Sequence, residues 1–153
     1  LYTGLVLGIL GADGANCLIQ SDAAGWKSIY NITNWQEYLL VVLGGYLGCV
    51  FMLLLTMWVS AKTNSAVTAV IVPFVLIFLP SFLSGTGIPF LNKILGLLPD
   101  QLLQMNQVVK YFNLYGIGGR MVKAAPVLLI AYAGFSLLLI PLIYRTYRKK
   151  EVY

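Results

Sequence analysis

The sequence predicts an all-α membrane protein, a polytopic bundle of transmembrane helices with three complete spans and one truncated span. Of the 153 residues, 59% are hydrophobic and only 10% are charged, with a mean hydropathy of +0.84. Soluble domains carry about 25% charged residues. Three uncharged runs, 38–61, 65–83 and 124–144, are each long enough to cross a bilayer as a helix. The charged residues Glu37 and Lys62 lie just outside the first of them. Water cannot be the only solvent of this chain.

The first element is an uncharged run at 1–12. Twelve helical residues rise only about 18 Å, which is too short to span, so we expect a truncated span that continues into a missing N-terminal part. A polar connection follows at 13–37. Near its end lie aromatic residues typical of the headgroup level: Trp26, Tyr30, Trp35 and Tyr38. Asn34 is predicted to cap the next helix, with Glu37 completing a capping box.

The first complete span, 38–61, carries two glycines one helical turn apart. Gly44 and Gly48, at positions i and i+4, allow a neighbouring helix to approach closely. We interpret them as an internal packing face. A contact between two copies of the chain is the alternative.

A bend and a second span complete a membrane hairpin. The bend at 61–65 is too short to form a domain, so the two helices must run antiparallel, with Lys62 in water near one membrane surface. The span at 65–83 contains Pro73 and Pro80. Each proline removes a backbone hydrogen bond, so both are predicted to kink this helix.

The longest connection, 84–123, contains two pieces that are too short to span. The first, 88–98, is almost entirely apolar, and the second begins at Pro99. The second piece is amphipathic, with polar positions at Gln101, Gln104, Gln107 and Lys110. These lengths predict two short helices that are either interfacial or re-entrant. The glycines of 115–119 are interpreted as the end of this segment and not as a nucleotide fingerprint, because no strand is expected before them.

The last complete span, 124–144, is followed by a tail at 145–153 that is dense in basic residues. Because basic residues favour the cytoplasm, we expect the C-terminus and the Lys62 bend inside, and the connections 13–37 and 84–123 outside. The ten basic residues divide equally between the two sides, so only the density of the tail decides the orientation. The tail is interpreted as juxtamembrane and lipid-facing.

The composition argues against an enzyme. The chain has no histidine and two cysteines, so it cannot build a Cys/His metal site of its own. The complete spans contain no acidic residue, which argues against a proton relay or an ion-coupled pathway in them. Without histidine or another residue pair that would activate a nucleophile, the sequence offers no candidate for nucleophilic catalysis. We therefore predict no catalytic residue, no metal and no cofactor in this chain.

Several segments together resemble the C-terminal half of a type 2 ABC exporter permease. They are Met57 to Ser65 at the end of a span, Pro73-Phe74 and Phe78-Leu79-Pro80 in the next, Leu97-Leu98-Pro99 in the long connection, and Tyr144 to Lys150 after the last span. In that family six helices per permease are usual and two permease halves pair. Two cytoplasmic ATPase subunits drive export of lipids, peptides, polysaccharides or drugs.

The resemblance implies a permease subunit in a bacterial cell membrane, in contact with membrane lipids and not with nucleic acid. It implies that Lys62, Thr63, Asn64 and Ser65 contact the ATPase, although a solvated turn explains these residues equally well. The second permease half would be an identical or a different chain. ATP would bind to the partner subunit, since these 153 residues lack a glycine-rich loop ending in Gly-Lys-Ser/Thr. The alternative function is a non-transporting membrane anchor or assembly scaffold.

Overall fold

The computed structural model of the protein describes residues 4, 11, 14–21, 28–63, 65–83, 89–110 and 114–150. Three long helices form the bundle: α1 (Asn34–Lys62), α2 (Ala66–Leu83) and α6 (Ala124–Lys150). Three short helices lie between α2 and α6: α3 (Pro89–Leu95), α4 (Asp100–Leu103) and α5 (Met105–Lys110). They are followed by an antiparallel hairpin of β1 (Leu114–Ile117) and β2 (Arg120–Lys123).

Helices α1, α2 and α6 are long and apolar enough to cross a membrane. The predicted all-α transmembrane bundle is therefore confirmed, with its three complete spans. The truncated span expected at 1–12 lies outside the described residues, apart from Gly4 and Gly11.

Helix α1 is capped one residue earlier than predicted. The Thr33 hydroxyl accepts a hydrogen bond from the Gln36 N–H at 3.4 Å, and the Gln36 side chain accepts one from the Thr33 N–H at 3.1 Å. This reciprocal pair is a capping box. The prediction that Asn34 and Glu37 form the cap is wrong. The Asn34 side chain instead donates to the Gly14 carbonyl at 3.0 Å and ties the preceding segment to α1.

Helix α1 is the centre of the bundle, since α2, α4, α5 and α6 all pack against it. Helix α2 runs without interruption through Pro73 and Pro80, which are both buried together with Ala69. These three residues lie on one face of α2, at spacings of four and seven residues. The predicted kinks at the two prolines stay a prediction.

The best buried part of the protein lies at the end of the bundle opposite the α1–α2 bend. We call it the head: the described residues within 14–33 and 89–123. Its core joins both connections to the start of α6, and partly buried residues of α1 pack against it. The buried core residues are Ile19, Tyr30, Leu102, Met105, Val108, Val109, Ala124, Ala125, Leu128 and Tyr132. The Ser28 hydroxyl donates to the Val109 carbonyl at 2.7 Å. The two connections therefore fold together as one unit.

The β-hairpin closes the head before α6 begins. Gly118 and Gly119 form its two-residue turn with φ values of 58° and 79°. Both values are positive, as a type I′ turn requires, and glycine adopts them without strain. The sequence interpretation, which treated these glycines only as the end of a helical segment, missed the hairpin.

Candidate functional site

The glycine face of α1 contacts the short helices of the head. A Cβ atom at Gly44 would lie 3.0 Å from Met105 Cε and 3.1 Å from the Leu102 carbonyl oxygen. A Cβ atom at Gly48 would lie 3.2 Å from Leu103 Cδ2. The two glycines thus allow α4 and α5 to pack closely against α1. The contact is with these short helices and not with another long helix, and it lies within one chain.

Helix α5 runs antiparallel to the first part of α1, from the level of Gly44 to that of Glu37. Met105 lies beside Gly44, and at the other end of α5 Lys110 Nζ lies 3.7 Å from Glu37 Oε1. Gly48 is about 14 Å along the helix axis from Leu39, where the uncharged run begins. With Leu39 at the edge of a hydrocarbon core about 30 Å thick, α4 would reach close to the middle of that core and α5 would return to its edge.

The structure leaves both predicted arrangements of these helices, interfacial and re-entrant, as predictions. It contains three short helices instead of the two expected, because the chain breaks between α4 and α5 at Gln104. Non-spanning backbone at membrane depth must be covered by protein. Leu102, Met105 and Val109 meet this requirement, since their side chains are completely buried.

The opposite face of the same segment carries exposed amides. Gln104, Asn106 and Gln107 are exposed, while their neighbours Met105 and Val108 are buried. In lipid the side-chain amides of Asn106 and Gln107 would have no hydrogen-bond partners, which costs several kcal/mol for each group by order of magnitude. Polar groups at this depth face a water-filled cavity or another protein surface. This amide face, Gln104, Asn106 and Gln107, is suited to line a polar path.

A buried carboxylate lies next to the amide face. Asp100, 6% exposed, accepts hydrogen bonds from Gln104 Nε2 at 3.0 Å and 2.9 Å through its two oxygens. The sequence interpretation placed Asp100 in an outer connection and gave it no role. The i, i+4 spacing of Asp100 and Gln104 was the available signal for this pair.

The other predicted site is the bend between α1 and α2, of which Lys62, Thr63 and Ser65 are described and Asn64 is not. The Thr63 hydroxyl donates to the Val59 carbonyl at 2.7 Å and ends α1. The Ser65 hydroxyl accepts from the Thr68 N–H at 3.5 Å at the start of α2. The polar side chains at 63 and 65 thus serve the two helix ends, and Lys62 is exposed.

The bend meets the beginning of the basic tail. A groove of about 400 Å³, here called the basic groove, is lined by Trp58, Ala61, Lys62, Leu142, Arg145, Thr146 and Lys149. Lys62 Nζ lies 5.2 Å from the centre of the Trp58 ring, a cation–π distance. Sequence reasoning found the bend and the tail separately, and the structure brings them to the same end of the bundle.

In the head, Tyr30 connects three elements. Its hydroxyl accepts a hydrogen bond from the Ala125 N–H at 3.0 Å, and Lys123 Nζ lies 4.8 Å from its ring centre. Burial raises the pKa of Tyr30 above its ordinary value, and the bond from Ala125 acts in the opposite direction. The hydroxyl therefore stays protonated at neutral pH and secures the first turn of α6.

Fold and site together define an integral membrane protein, a helical bundle with three short helices packed between its second and third spans. Comparison of the chain with protein family models, with curated proteins and with solved structures finds no match. The class of protein is therefore defined by the fold, and the activity is a matter for proposal.

Proposed function

We propose that this chain is the membrane-spanning permease subunit of an ATP-driven exporter, forming part of the substrate pathway and coupled to a separate ATPase. The observation that carries the proposal is the amide face, Gln104, Asn106 and Gln107, exposed alongside the first half of the membrane-spanning helix α1. A transported molecule needs polar groups at this depth. An anchor or scaffold gains nothing from exposing amides there.

The amide face requires a second wall. Within one chain it is exposed, so the polar path would be enclosed by a paired permease half, identical or different. Helix α2 supports such pairing, because only Ala69, Pro73 and Pro80 of its residues are buried. The remaining apolar surface of α2 is available to lipid and to a partner helix.

Helix α1 supports a route for coupling. One of its ends carries the exposed Lys62 at the bend, and its middle carries Gly44 and Gly48 against the short helices. An α-helix of 29 residues transmits displacement along its length as a stiff element. A cytoplasmic ATPase that moves the bend would therefore move the surface on which α4 and α5 rest. The orientation with the bend and the C-terminus in the cytoplasm belongs to this proposal.

The direct test is purification of the full-length protein from its native membrane in mild detergent, followed by mass spectrometry of the proteins recovered with it. We expect a nucleotide-hydrolysing subunit. Replacing Lys62 to Ser65 with glycines should remove that subunit or abolish the effect of the permease on its turnover. The matched control is Asn92→Ala with Lys93→Ala, which removes similar polar groups at the opposite end and should leave recovery unchanged.

The same experiment separates the permease from the scaffold. If no ATPase is recovered under conditions that preserve a known transporter complex, the exporter loses its energy source and the scaffold is the better account. If an ATPase is recovered but is unaffected by the glycine replacement, the bend is a solvated turn and the coupling contact lies elsewhere.

A further inference from the structure

A groove between α1 and α6 extends from the middle of the bundle to the bend end in two parts that meet at Leu142. Its walls are Phe51, Leu55, Trp58 and Lys62 on α1, and Phe135, Leu138, Leu142, Arg145 and Lys149 on α6. The spacings of three and four residues place each set on one helix face. Leu142 lines both the apolar part and the basic groove, so the two parts form a single surface.

The two parts of this groove differ sharply in chemistry. The apolar part has a volume of about 360 Å³, and its lining is hydrophobic apart from the Tyr132 hydroxyl. That hydroxyl is already used, because it donates to the Leu97 carbonyl at 2.6 Å. From Phe135 to Leu142 the apolar part extends about 10 Å along α6, and the basic groove continues for a similar length to Lys149.

The positive charge of the basic groove makes it suited to bind an anion. Three cationic side chains line it, Lys62, Arg145 and Lys149, and none of its described lining residues is acidic. The Thr146 hydroxyl donates to the Leu142 carbonyl at 2.7 Å, so the donors that face the groove are the three charged groups and the Trp58 indole N–H. Trp58, beside Lys62, is a residue typical of the membrane–water interface.

We propose that this groove binds one anionic phospholipid, with the headgroup phosphate at Lys62, Arg145 and Lys149 and an acyl chain along the apolar part. An anionic lipid matches both parts of the groove. Its phosphate lies at the membrane surface, as the basic groove does at the bend end, and its acyl chain lies deeper in the membrane, as the apolar part does. A free phosphate would leave the apolar part without an occupant. The site does not depend on the permease proposal, because its ligand is a component of the membrane itself.

The test uses the full-length protein in nanodiscs of phosphatidylcholine with increasing phosphatidylglycerol, and Trp58 as reporter. Trp26→Phe and Trp35→Phe leave Trp58 as the tryptophan of the described bundle. Phosphatidylglycerol or phosphatidylcholine brominated on the acyl chain near the headgroup is then compared as quencher. We expect phosphatidylglycerol to quench at a mole fraction at least roughly fivefold lower, which is the effect of a single basic residue near the surface at about 1 kcal/mol.

Arg145→Gln with Lys149→Gln should bring the two quenching curves together. The control is Arg148→Gln, which removes one positive charge from the same helix at a position outside the groove and should preserve the preference. Arg145→Gln alone removes the same charge from inside the groove and should weaken the preference. Native mass spectrometry gives an independent readout, in which phosphatidylglycerol stays bound to the wild type and to Arg148→Gln but not to the double variant.

Three results would overturn the proposal. Equal quenching by the two lipids in the wild type means that no selective site exists. An equal loss in Arg148→Gln and in the double variant means that diffuse charge attracts the lipid, not the groove. Loss of the preference when a co-purified protein partner is present means that a protein surface occupies the groove.

Discussion

The head and the membrane bundle of this protein bury their residues to very different extents. In the head, Leu102, Met105 and Val109 are completely inaccessible, as a water-soluble core would be. In α2, by contrast, Phe82 is 83% exposed and Phe74 is 58% exposed. Both regions are rich in apolar residues, so composition does not explain the difference.

The difference follows from what each region has to bury. Lipid tails are as apolar as leucine, so burying a side chain between membrane helices gains little hydrophobic free energy. The spans can therefore leave large side chains exposed and rely on small residues for contact. The head must cover its own backbone polar groups, since it does not span, and it does so with a packed core.

The largest expected effect is at the centre of the head core. Leu102→Ala should lower the free energy of unfolding by about 3 kcal/mol, because it leaves a cavity against the glycine face of α1. Leu137→Ala, at a position that is 69% exposed on α6, should change it by less than about 0.5 kcal/mol. Unfolding in mixed micelles of increasing dodecyl sulfate content measures both. Similar losses in the two variants would remove the distinction between head and bundle.

The glycine contact between the two regions provides the next test. Gly44→Ala places a Cβ 3.1 Å from the Leu102 carbonyl oxygen and should destabilise the protein by about 2 kcal/mol through overpacking. A Cβ atom added at Gly45 would have no neighbouring side chain or helix within 4 Å. Gly45→Ala should therefore be neutral or slightly stabilising, because alanine favours the helix. Equal responses at the two neighbours would contradict the close approach of α5.

Tyr30 tests the polar link between the head and α6. Tyr30→Phe leaves the buried Ala125 N–H without its acceptor and should cost about 1 to 2 kcal/mol at neutral pH. Since burial raises the pKa of Tyr30 above 10.0, the folded state favours the protonated hydroxyl. Its contribution is present below pH 10 and declines as the pH rises above that value. The stability difference between wild type and Tyr30→Phe should shrink over this interval, and a difference that grows would contradict the assignment.

The smallest effect is expected at the ion pair between α5 and the start of α1. Lys110→Gln removes the contact with Glu37 and should cost about 0.5 kcal/mol at low salt. High salt should reduce this loss, because screening weakens the pair in the wild type. Lys93→Gln, at an exposed position, serves as the control for the loss of one positive charge. A loss at Lys110 that is independent of salt would indicate that the side chain acts through packing.

The spans and their hairpin could be predicted from the sequence because both depend on local properties. Run length, absence of charge and a short bend are read directly from neighbouring residues. The capping box was misplaced by one residue because Thr33 and Asn34 are both good cap residues, and Gln36 and Glu37 are equally good partners. The hairpin also had a local signal, the glycine pair Gly118-Gly119, which favours a two-residue turn, but the sequence interpretation did not use it.

The head and the basic groove could not be predicted in the same way. Ser28 and Val109 are separated by 81 residues, and Tyr30 and Ala125 by 95, so no local pattern relates them. The amphipathic pattern after Pro99 indicated a buried face but not what covers it. Arg145 and Lys149 share a helix face by their spacing, whereas their proximity to Lys62 depends on how α1 and α6 pack.

The central claim is that the amide face meets water at the depth of a membrane-spanning helix. Cysteines 17 and 49 are first replaced by alanine, and a spin label is then attached at Gln107→Cys on α5 or at Val42→Cys on the exposed surface of α1. The two positions lie at similar levels of α1, because α5 runs from Gly44 to Glu37. Accessibility to oxygen reports lipid, and accessibility to a water-soluble nickel chelate reports water.

In bilayers of the assembled protein, the label at 42 should be accessible to oxygen and protected from the chelate, while the label at 107 should be accessible to the chelate. That result places water and lipid at the same level on the two sides of the molecule, as a transport path requires. If both labels are accessible to the chelate, the head lies outside the membrane. If both report lipid, no polar path exists, and the permease proposal is contradicted.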